Sequence, residues 1–309
     1  MKKHVKYLTM CLFAAILMFT ATGCSTQNTA ETSNTIEITH TKGSANVKQN
    51  AKKVAVFDFG ILDIMDNLNI DVEYAVPSDS LPSYLSKFQS ATNAGGIKEP
   101  DIEALYTFKP DVIFISGRQE SYYEELSKIA PTIYVEVNAE TYIQDIEKNT
   151  MSVAKIFNKE TEAQEKLNSL QKQINDVKAQ TASLDKKALI ILTNDGSISA
   201  YGAGSRFGLI HDTLGFPVAD SGIETSIHGQ KINYEYISEK NPDILFVVDR
   251  TQVVSGTTNA TSTLDNDLVK NTNAYQSNKV IYLSPDYWYL SSGGLTSVSE
   301  MVKEAASAL

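Results

Sequence analysis

Two Rossmann-like α/β lobes joined by a single long helix are predicted for this 309-residue chain by three observations. An apolar, β-rich run ending in arginine occurs twice, 132 residues apart, as Pro110-Asp-Val-Ile-Phe-Ile-Ser-Gly-Arg118 and Pro242-Asp-Ile-Leu-Phe-Val-Val-Asp-Arg250. Short continuous apolar runs of this kind suit strands buried in a parallel sheet. Between the copies, residues 150–184 hold neither Gly nor Pro and place Val153, Ile156, Phe157, Ala163, Leu167, Leu170, Ile174 and Val177 at helical spacing. The length itself corresponds to about two domains at roughly 150 residues each.

In chain order, residues 1–23 read as a secretory signal, with Lys2, Lys3 and Lys6 ahead of an apolar run from Leu8 to Phe19 and then small residues. At about 12 residues the run is short for a spanning helix. Ala21-Thr22-Gly23-Cys24 resembles the lipobox of bacterial lipoproteins, with Ala21 where Leu is usual; the resemblance implies that Cys24 is acylated and becomes the mature N-terminus. Residues 24–35, polar almost throughout, then form a flexible tether. The alternative is an ordinary secreted protein with a cleaved signal. Cys11, the other cysteine, lies within the apolar run, which leaves no pair for a structural disulfide and no thiol cluster for zinc.

The N-terminal lobe is assigned to 36–150 and the C-terminal lobe to 185–309, with 151–184 as the linking helix. Strands are expected at Lys53-Val-Ala-Val, at the first arginine-ended run and at Thr132-Ile-Tyr-Val. Their counterparts are Lys187-Ala-Leu-Ile-Ile-Leu, the second run and Val280-Ile-Tyr-Leu. Asp101 and Asn233, also 132 residues apart, are placed to cap the helices that precede each run. The last pair is 148 residues apart, so the second copy carries about 16 extra residues; Ser255 to Asn266, rich in Ser, Thr, Asn and Gly, is their natural place. Ligands of such sheets bind beyond the carboxyl ends of the strands, which makes the cleft between the lobes the expected site.

The formal charge of −10 excludes a sequence-independent nucleic-acid binder, which needs a basic footprint. Against 24 lysines there are three arginines, Arg118, Arg206 and Arg250. Two end the repeated strands, and the third follows the glycine turn Gly202-Ala-Gly204-Ser205. Solvated surface pairs would be the ordinary explanation for single arginines. Three at equivalent topological places point instead to an anionic, oxygen-rich ligand, which the permanent charge and planar donor fork of arginine suit. In the second lobe, His228 precedes Gly229, and Tyr287-Trp288-Tyr289 ends the strand begun at Val280. Neutral imidazole and phenolate are donors to a ferric centre. Two such residues make a poor cage alone but can fill positions that a chelator leaves open. The competing account is a loop histidine and an aromatic cluster packing a lobe edge. Trp288, the only tryptophan, falls inside the proposed site. His40 and His211 read as surface or packing residues.

Taken together, the lipobox, paired lobes, long helix, arginine triad, Gly202-x-Gly204-Ser205-Arg206 turn and Tyr287-Trp288-Tyr289-Leu290 resemble the ferric-siderophore-binding lipoproteins that serve ABC importers. Among these, the enterochelin-uptake type, which handles catecholates, is the most similar. The resemblance implies the class III substrate-binding fold, and it implies that Arg118, Arg206 and Arg250 form a basic floor beneath the catecholate oxygens. By motif alignment it also implies that His228 and Tyr289 complete the iron shell of tetradentate bis-catecholates, and that Glu103 and Glu235 dock on permease arginines. Seven residues before Pro110 and Pro242, the two glutamates do occupy matching repeat positions. A glutamate in the first turn of a helix, favoured by its dipole, is the plainer explanation. The implied protein is a monomer on the extracytoplasmic face of the cell membrane, with no enzymatic activity, no permanent cofactor and a ferric siderophore as transported ligand.

Other carriers and other classes give competing accounts of the same residues. A haem or cobalamin carrier shares the fold, but cobalamin does not need an arginine triad and haem carriers draw axial ligands from different places. A bare-metal carrier needs more His and carboxylate ligands. A lipid-anchored enzyme could set His228 beside a nucleophile, yet the sequence contains no Gly-x-Ser-x-Gly, His-Glu-x-x-His or phosphate loop. An adhesin gives no reason for the arginine distribution.

Overall fold

The computed structural model describes residues 34–226, 228–257 and 260–309. The expected signal segment, Cys24 and nearly all of the tether lie outside the described residues. In the first half the elements are β1 (Thr35–His40), β2 (Gly43–Lys48), β3 (Lys53–Val56), α1 (Phe59–Asn67), β4 (Glu73–Val76), β5 (Thr92–Asn93), α2 (Ile102–Phe108), β6 (Val112–Ile115), α3 (Tyr123–Leu126), β7 (Thr132–Tyr134), α4 (Tyr142–Phe157) and α5 (Glu160–Thr181). The second half contains β8 (Ala188–Asn194), β9 (Ser197–Tyr201), β10 (Gln230–Ile232), α6 (Tyr234–Lys240), β11 (Ile244–Asp249), α7 (Arg250–Ser255), α8 (Ala260–Thr263), α9 (Asp267–Lys270), α10 (Asn273–Gln276), β12 (Val280–Leu283) and α11 (Leu295–Ala306).

Two five-stranded sheets form the lobes, in the orders β5-β4-β3-β6-β7 and β10-β9-β8-β11-β12, and the hairpin β1-β2 stands apart. The first sheet is parallel throughout, whereas in the second β8, β11 and β12 are parallel and β9 and β10 are antiparallel additions. The repeat thus superposes β3, β6 and β7 on β8, β11 and β12. It diverges at the outer strands, where the two-residue turn Asp195-Gly196 returns the chain at once. The helices that precede the arginine-ended strands carry the expected caps: Asp101 accepts from the Ala104 amide and Asn233 from the Tyr236 amide.

Successive strand residues point to opposite faces, and they enter different cores with that period of two. Val54, Val56, Val112 and Phe114 join Ile190, Leu192, Phe246 and Val248 in one core that runs through both lobes. Ala55, Phe57, Ile113 and Ile115 pack the outer face of the first sheet, while Leu189, Ile191, Leu245 and Val247 pack that of the second.

One long helix, α5, joins the lobes and buries Ala163, Leu167, Leu170, Ile174 and Val177 along one stripe. Its start corrects the sequence expectation of a continuous helix from 151 to 184. The stretch to Phe157 is the end of α4, and Asn158 adopts the left-handed conformation (φ 55°, ψ 47°) that stops it. Asparagine tolerates this conformation through local hydrogen bonding; here its side chain pairs with Gln49 at 2.6 Å and Asn50 at 3.0 Å. A second correction concerns Tyr287-Trp288-Tyr289. Strand β12 ends at Leu283, Pro285 cannot continue a ladder, and Asp286–Leu290 form a single wide π-helical turn.

The C-terminal helix crosses between lobes. It packs on α1 and α5, and the buried Asp63 of α1 accepts from the amides of Thr296 (2.9 Å) and Ser297 (2.7 Å) at its start. Gly294 is required there, because a Cβ would stand 2.2 Å from Asp63 Oδ2. Tyr84 Oη donates to Asp63 (3.0 Å) and stands 2.8 Å from Ser291 Oγ, and Tyr142 Oη donates to the Ser292 carbonyl.

Candidate functional site

A cleft of 880 Å³ opens where the carboxyl ends of the two sheets face each other. Its walls are Ser116–Arg118 after β6, residues 134–142 after β7, Gly204–Arg206 after β9, Thr225 and Ser226, and Leu290–Gly293 ahead of α11.

Each arginine is delivered by a local device. Arg118 sits in the 3₁₀ turn Gly117–Tyr122, which is fixed when the buried Gln119 accepts from the Ser116 amide at 3.0 Å. Arg206 ends a tight loop in which Ser205 Oγ donates to the Gly202 carbonyl (2.5 Å) and the Gly204 amide donates to Asp212 Oδ2 (2.7 Å). Gly204 has φ +69°, and a Cβ on Gly202 would press on Ile223 at 3.2 Å. Arg250 opens α7, capped by Asp249, whose side chain accepts from the Thr251 amide.

The three guanidinium groups converge on one residue, Tyr289. Arg118 Nη2 and Arg206 Nη2 donate to its carbonyl at 2.8 and 2.7 Å, and Arg118 Nη1 reaches the Leu290 carbonyl at 3.2 Å. Arg250 Nε donates to the phenol oxygen at 2.7 Å, while its Nη1 donates to Asn194 Oδ1 at 2.6 Å. The guanidinium carbons stand 6.0 Å (Arg118), 4.2 Å (Arg206) and 5.5 Å (Arg250) from the Tyr289 ring centroid, within reach of the ring quadrupole. Among the described residues, no ion pair within 4.0 Å involves an arginine; every one is made by a lysine.

The charges register on the groups between them. Burial, and then the neighbouring charge of Arg118, hold Arg206 below the ordinary arginine value. Burial pushes the Tyr289 phenol up, but the hydrogen bond from Arg250 and the charges of Arg206, Arg250 and Arg118 outweigh it, leaving the phenol below its ordinary value. The site is therefore electropositive, and the field that lowers the phenol's value also favours an anionic ligand.

The structure brings together four of the five residues singled out for ligand binding, Arg118, Arg206, Arg250 and Tyr289; of these, Arg118 and Arg206 line the cleft, whereas Arg250 and Tyr289 join them through hydrogen bonds and are not among its lining residues. His228 is exposed and is not among the residues lining the cleft, although Thr225 and Ser226 nearby are; its amide donates to Ser226 Oγ at 3.1 Å. Trp288 does not lie in the cleft, correcting the sequence expectation. It is fully buried, edge-on to Phe207 at 6.4 Å, with its indole N–H donating to Glu304 at 2.7 Å. Glu103 and Glu235 occupy the first turns of α2 and α6, both exposed, and no ion pair among the described residues includes either. His40 and His211 are packing residues: His40 stacks edge-on to Tyr123 at 5.8 Å, and His211 Nδ1 contacts the Phe216 carbonyl at 2.8 Å.

Sequence reasoning missed the wall 134–142 and Asn194. The wall follows an expected strand, but nothing in its composition marks it. Asn194-Asp195-Gly196 is a recognisable hairpin signal, yet only the fold shows that it ends beside Arg250. Among the described residues, no group of three or more His, Cys, Asp or Glu is arranged to hold a metal ion.

A family model described as Periplasmic binding protein matches residues 54–287. The petrobactin-binding protein YclQ of Bacillus subtilis is 45% identical over 271 residues, covering 87% of this chain and 86% of its own. Its crystal structure matches with a TM-score of 0.86 at 43% identity, over 89% of this chain and 98% of that one. The ferric-anguibactin-binding protein FatB of Vibrio anguillarum is 34% identical over 86% of this chain and 85% of its own. The periplasmic catecholate-siderophore binding protein VctP of Vibrio cholerae matches with a TM-score of 0.83 at 33% identity, over 89% of this chain and all of that one (100%). Two α/β lobes on one long helix, a cleft at their facing sheet ends and a family match over most of its length make this chain a member of the class III periplasmic binding proteins, which are substrate-binding proteins and not enzymes.

Proposed function

We propose that this protein captures a ferric catecholate siderophore in the cleft between its lobes and delivers it to an ABC permease for iron uptake. The observation that carries the reading is the convergence of Arg118, Arg206 and Arg250 on Tyr289, without an ion-pair partner among the described residues, beside a cleft that Arg118 and Arg206 line. A ferric tris-catecholate is a trianion. Each close charge pair with it is worth roughly 4 kcal/mol at an effective dielectric near 20, before desolvation is subtracted. The guanidinium groups are already held among neutral acceptors, so much of their ordering cost is met before the ligand arrives. That YclQ, FatB and VctP are named for siderophores supports the same ligand class.

A tetradentate bis-catecholate leaves two of the six iron positions open. His228 and Tyr289 fill them, the phenol lying beside the arginines that hold it below its ordinary value and the loop around His228 swinging its exposed imidazole inward. The iron is cargo and arrives with most of its own ligands. Lobes 36–150 and 185–309 provide the two walls, and Glu103 and Glu235 on their outer helices meet cationic side chains of the permease. Acylation of Cys24 holds this monomer on the extracytoplasmic face of the membrane.

The test is a fluorescence titration of the soluble protein from residue 25 onward with a ferric bis-catecholate, with haem and the iron-free chelator as controls. Trp288 is buried next to Tyr289 in the chain and against Phe207, so the absorbing ferric complex quenches it when bound. Saturable quenching by the ferric complex alone supports the reading; a response to haem only, or none, overturns it.

A further inference from the structure

We infer that Asn194 is a specificity-determining residue: by holding Arg250 with a neutral acceptor, it keeps the full charge of the arginine cluster available to the ligand. The inference rests on the siderophore reading above. Asn194 is the last residue of β8, followed by the tight turn Asp195-Gly196, whose residues have φ of 49° and 76°, and it pairs with Ser197 across the hairpin. Strand β11 runs parallel beside β8 with Asp249 opposite Thr193, so Asn194 and Arg250 stand as neighbours one step beyond the sheet. The amide oxygen accepts from Arg250 Nη1 at 2.6 Å, and the Tyr289 phenol accepts from Nε at 2.7 Å on the other side.

Two acids flank this pair in sequence, and among the described residues neither makes an ion pair within 4.0 Å with Arg250. Asp249 accepts from the amides of Thr251 (3.0 Å) and Ala260 (2.9 Å), which turns its carboxylate toward backbone. Asp195 is exposed, and its amide donates to Thr251 Oγ1 at 2.9 Å. Position 194 is thus where an acid of identical shape would pair with Arg250 directly. The present bond is charge-assisted through the arginine alone, and a carboxylate would make it a full ion pair. The asparagine gives up that stability and leaves the cation uncancelled, as functional sites commonly do. Arg118 and Arg206 follow the same pattern, donating to the carbonyls of Tyr289 and Leu290.

The experiment compares wild type, Asn194→Asp and Asn194→Ala against two probes: the trianionic ferric complex of a hexadentate tris-catecholate and the singly charged ferric complex of a tetradentate bis-catecholate. A carboxylate at 194 costs about fivefold per unit of ligand charge, so Asn194→Asp weakens the trianion about 100-fold and the monoanion about fivefold. Its melting temperature without ligand equals or exceeds that of wild type. Asn194→Ala weakens both complexes by one common factor. If Asn194→Asp also weakens both equally, or if the two variants behave alike, Asn194 is only a structural support and the inference is overturned. Should wild type bind neither complex, the siderophore reading fails, and thermal stabilisation by pyrophosphate decides the role of Asn194. Stabilisation kept in Asn194→Ala and lost in Asn194→Asp upholds it; identical behaviour of all three proteins refutes it.

Discussion

Replacing Arg206 by methionine separates binding from folding in a way that few site substitutions do. Arg206 is part-buried, 4.2 Å from the Tyr289 ring centroid, and its Nη2 donates to the Tyr289 carbonyl at 2.7 Å. Its burial and the charge of Arg118 both work against its ionised form. Without ligand, the substitution loses about 1 kcal/mol of hydrogen bond and about 1 kcal/mol of cation–π attraction. It also removes a desolvated cation from beside a like charge, which is unfavourable by a comparable amount, so the unfolding free energy of Arg206→Met stays within about 1 kcal/mol of wild type. With a ferric tris-catecholate the balance is one-sided. A lost close charge pair costs about 2–4 kcal/mol net, or roughly 30- to 1000-fold in affinity. The assay pairs urea denaturation with the Trp288 quenching titration at two salt concentrations. An affinity loss below about threefold, or a stability loss above about 3 kcal/mol, would show that Arg206 serves the fold rather than the ligand.

Other perturbations probe other links. His228→Ala and Tyr289→Phe should weaken a tetradentate ferric bis-catecholate at least about tenfold more than a hexadentate tris-catecholate; equal losses in titrations of both would mean that neither side chain binds iron. Asp63→Ala strands the Thr296 and Ser297 amides that the carboxylate holds and should cost about 3 kcal/mol by denaturation, whereas a loss under about 0.5 kcal/mol would mean α11 is held by packing alone. For pH, burial and Lys148 lower the value of His40, and burial lowers that of His211, each from 6.5. The unfolded chain therefore binds more protons, so these histidines contribute stability that is full above pH 6.5 and is lost as pH falls from there through their folded values. Denaturation midpoints of wild type at pH 7.5 and 5.5 should then differ more than those of a His40→Phe, His211→Phe variant, and identical differences would exclude this origin.

The parts of the fold that could be read from sequence were those with local causes. Val112–Ile115 and Ile244–Asp249 are buried on both faces, so continuous apolar runs announce them, and the Asp101 and Asn233 caps follow from side chains placed just ahead of a helix. The arginines could be read because lysine is the chain's default cation and because strand ends in such folds face a cleft. What escaped depended on contacts distant in sequence. Asn158 stops α4 without glycine or proline, through partners at Gln49 and Asn50. The turn of Tyr287-Trp288-Tyr289 turns its central tryptophan into the core, where Glu304 awaits it. The binding of α11 to α1 is invisible until Asp63 is seen at its start. At the site, Tyr289 was chosen by motif alignment, and its position among three guanidinium groups gives that choice a physical basis; His228, exposed at the rim, has none yet from geometry.

The central claim, that the arginine cluster exists to hold a ferric chelate, is tested most directly by a crystal structure of the protein with a ferric bis-catecholate, using the anomalous signal of iron to locate the metal. The account predicts one iron peak in the cleft, catecholate oxygens within hydrogen-bond distance of Arg118, Arg206 and Arg250, and the Tyr289 oxygen and a His228 nitrogen bonded to the metal. An iron peak outside the cleft, or a chelate bound with the three guanidinium groups still turned to the Tyr289 and Leu290 carbonyls and away from the ligand, would contradict it.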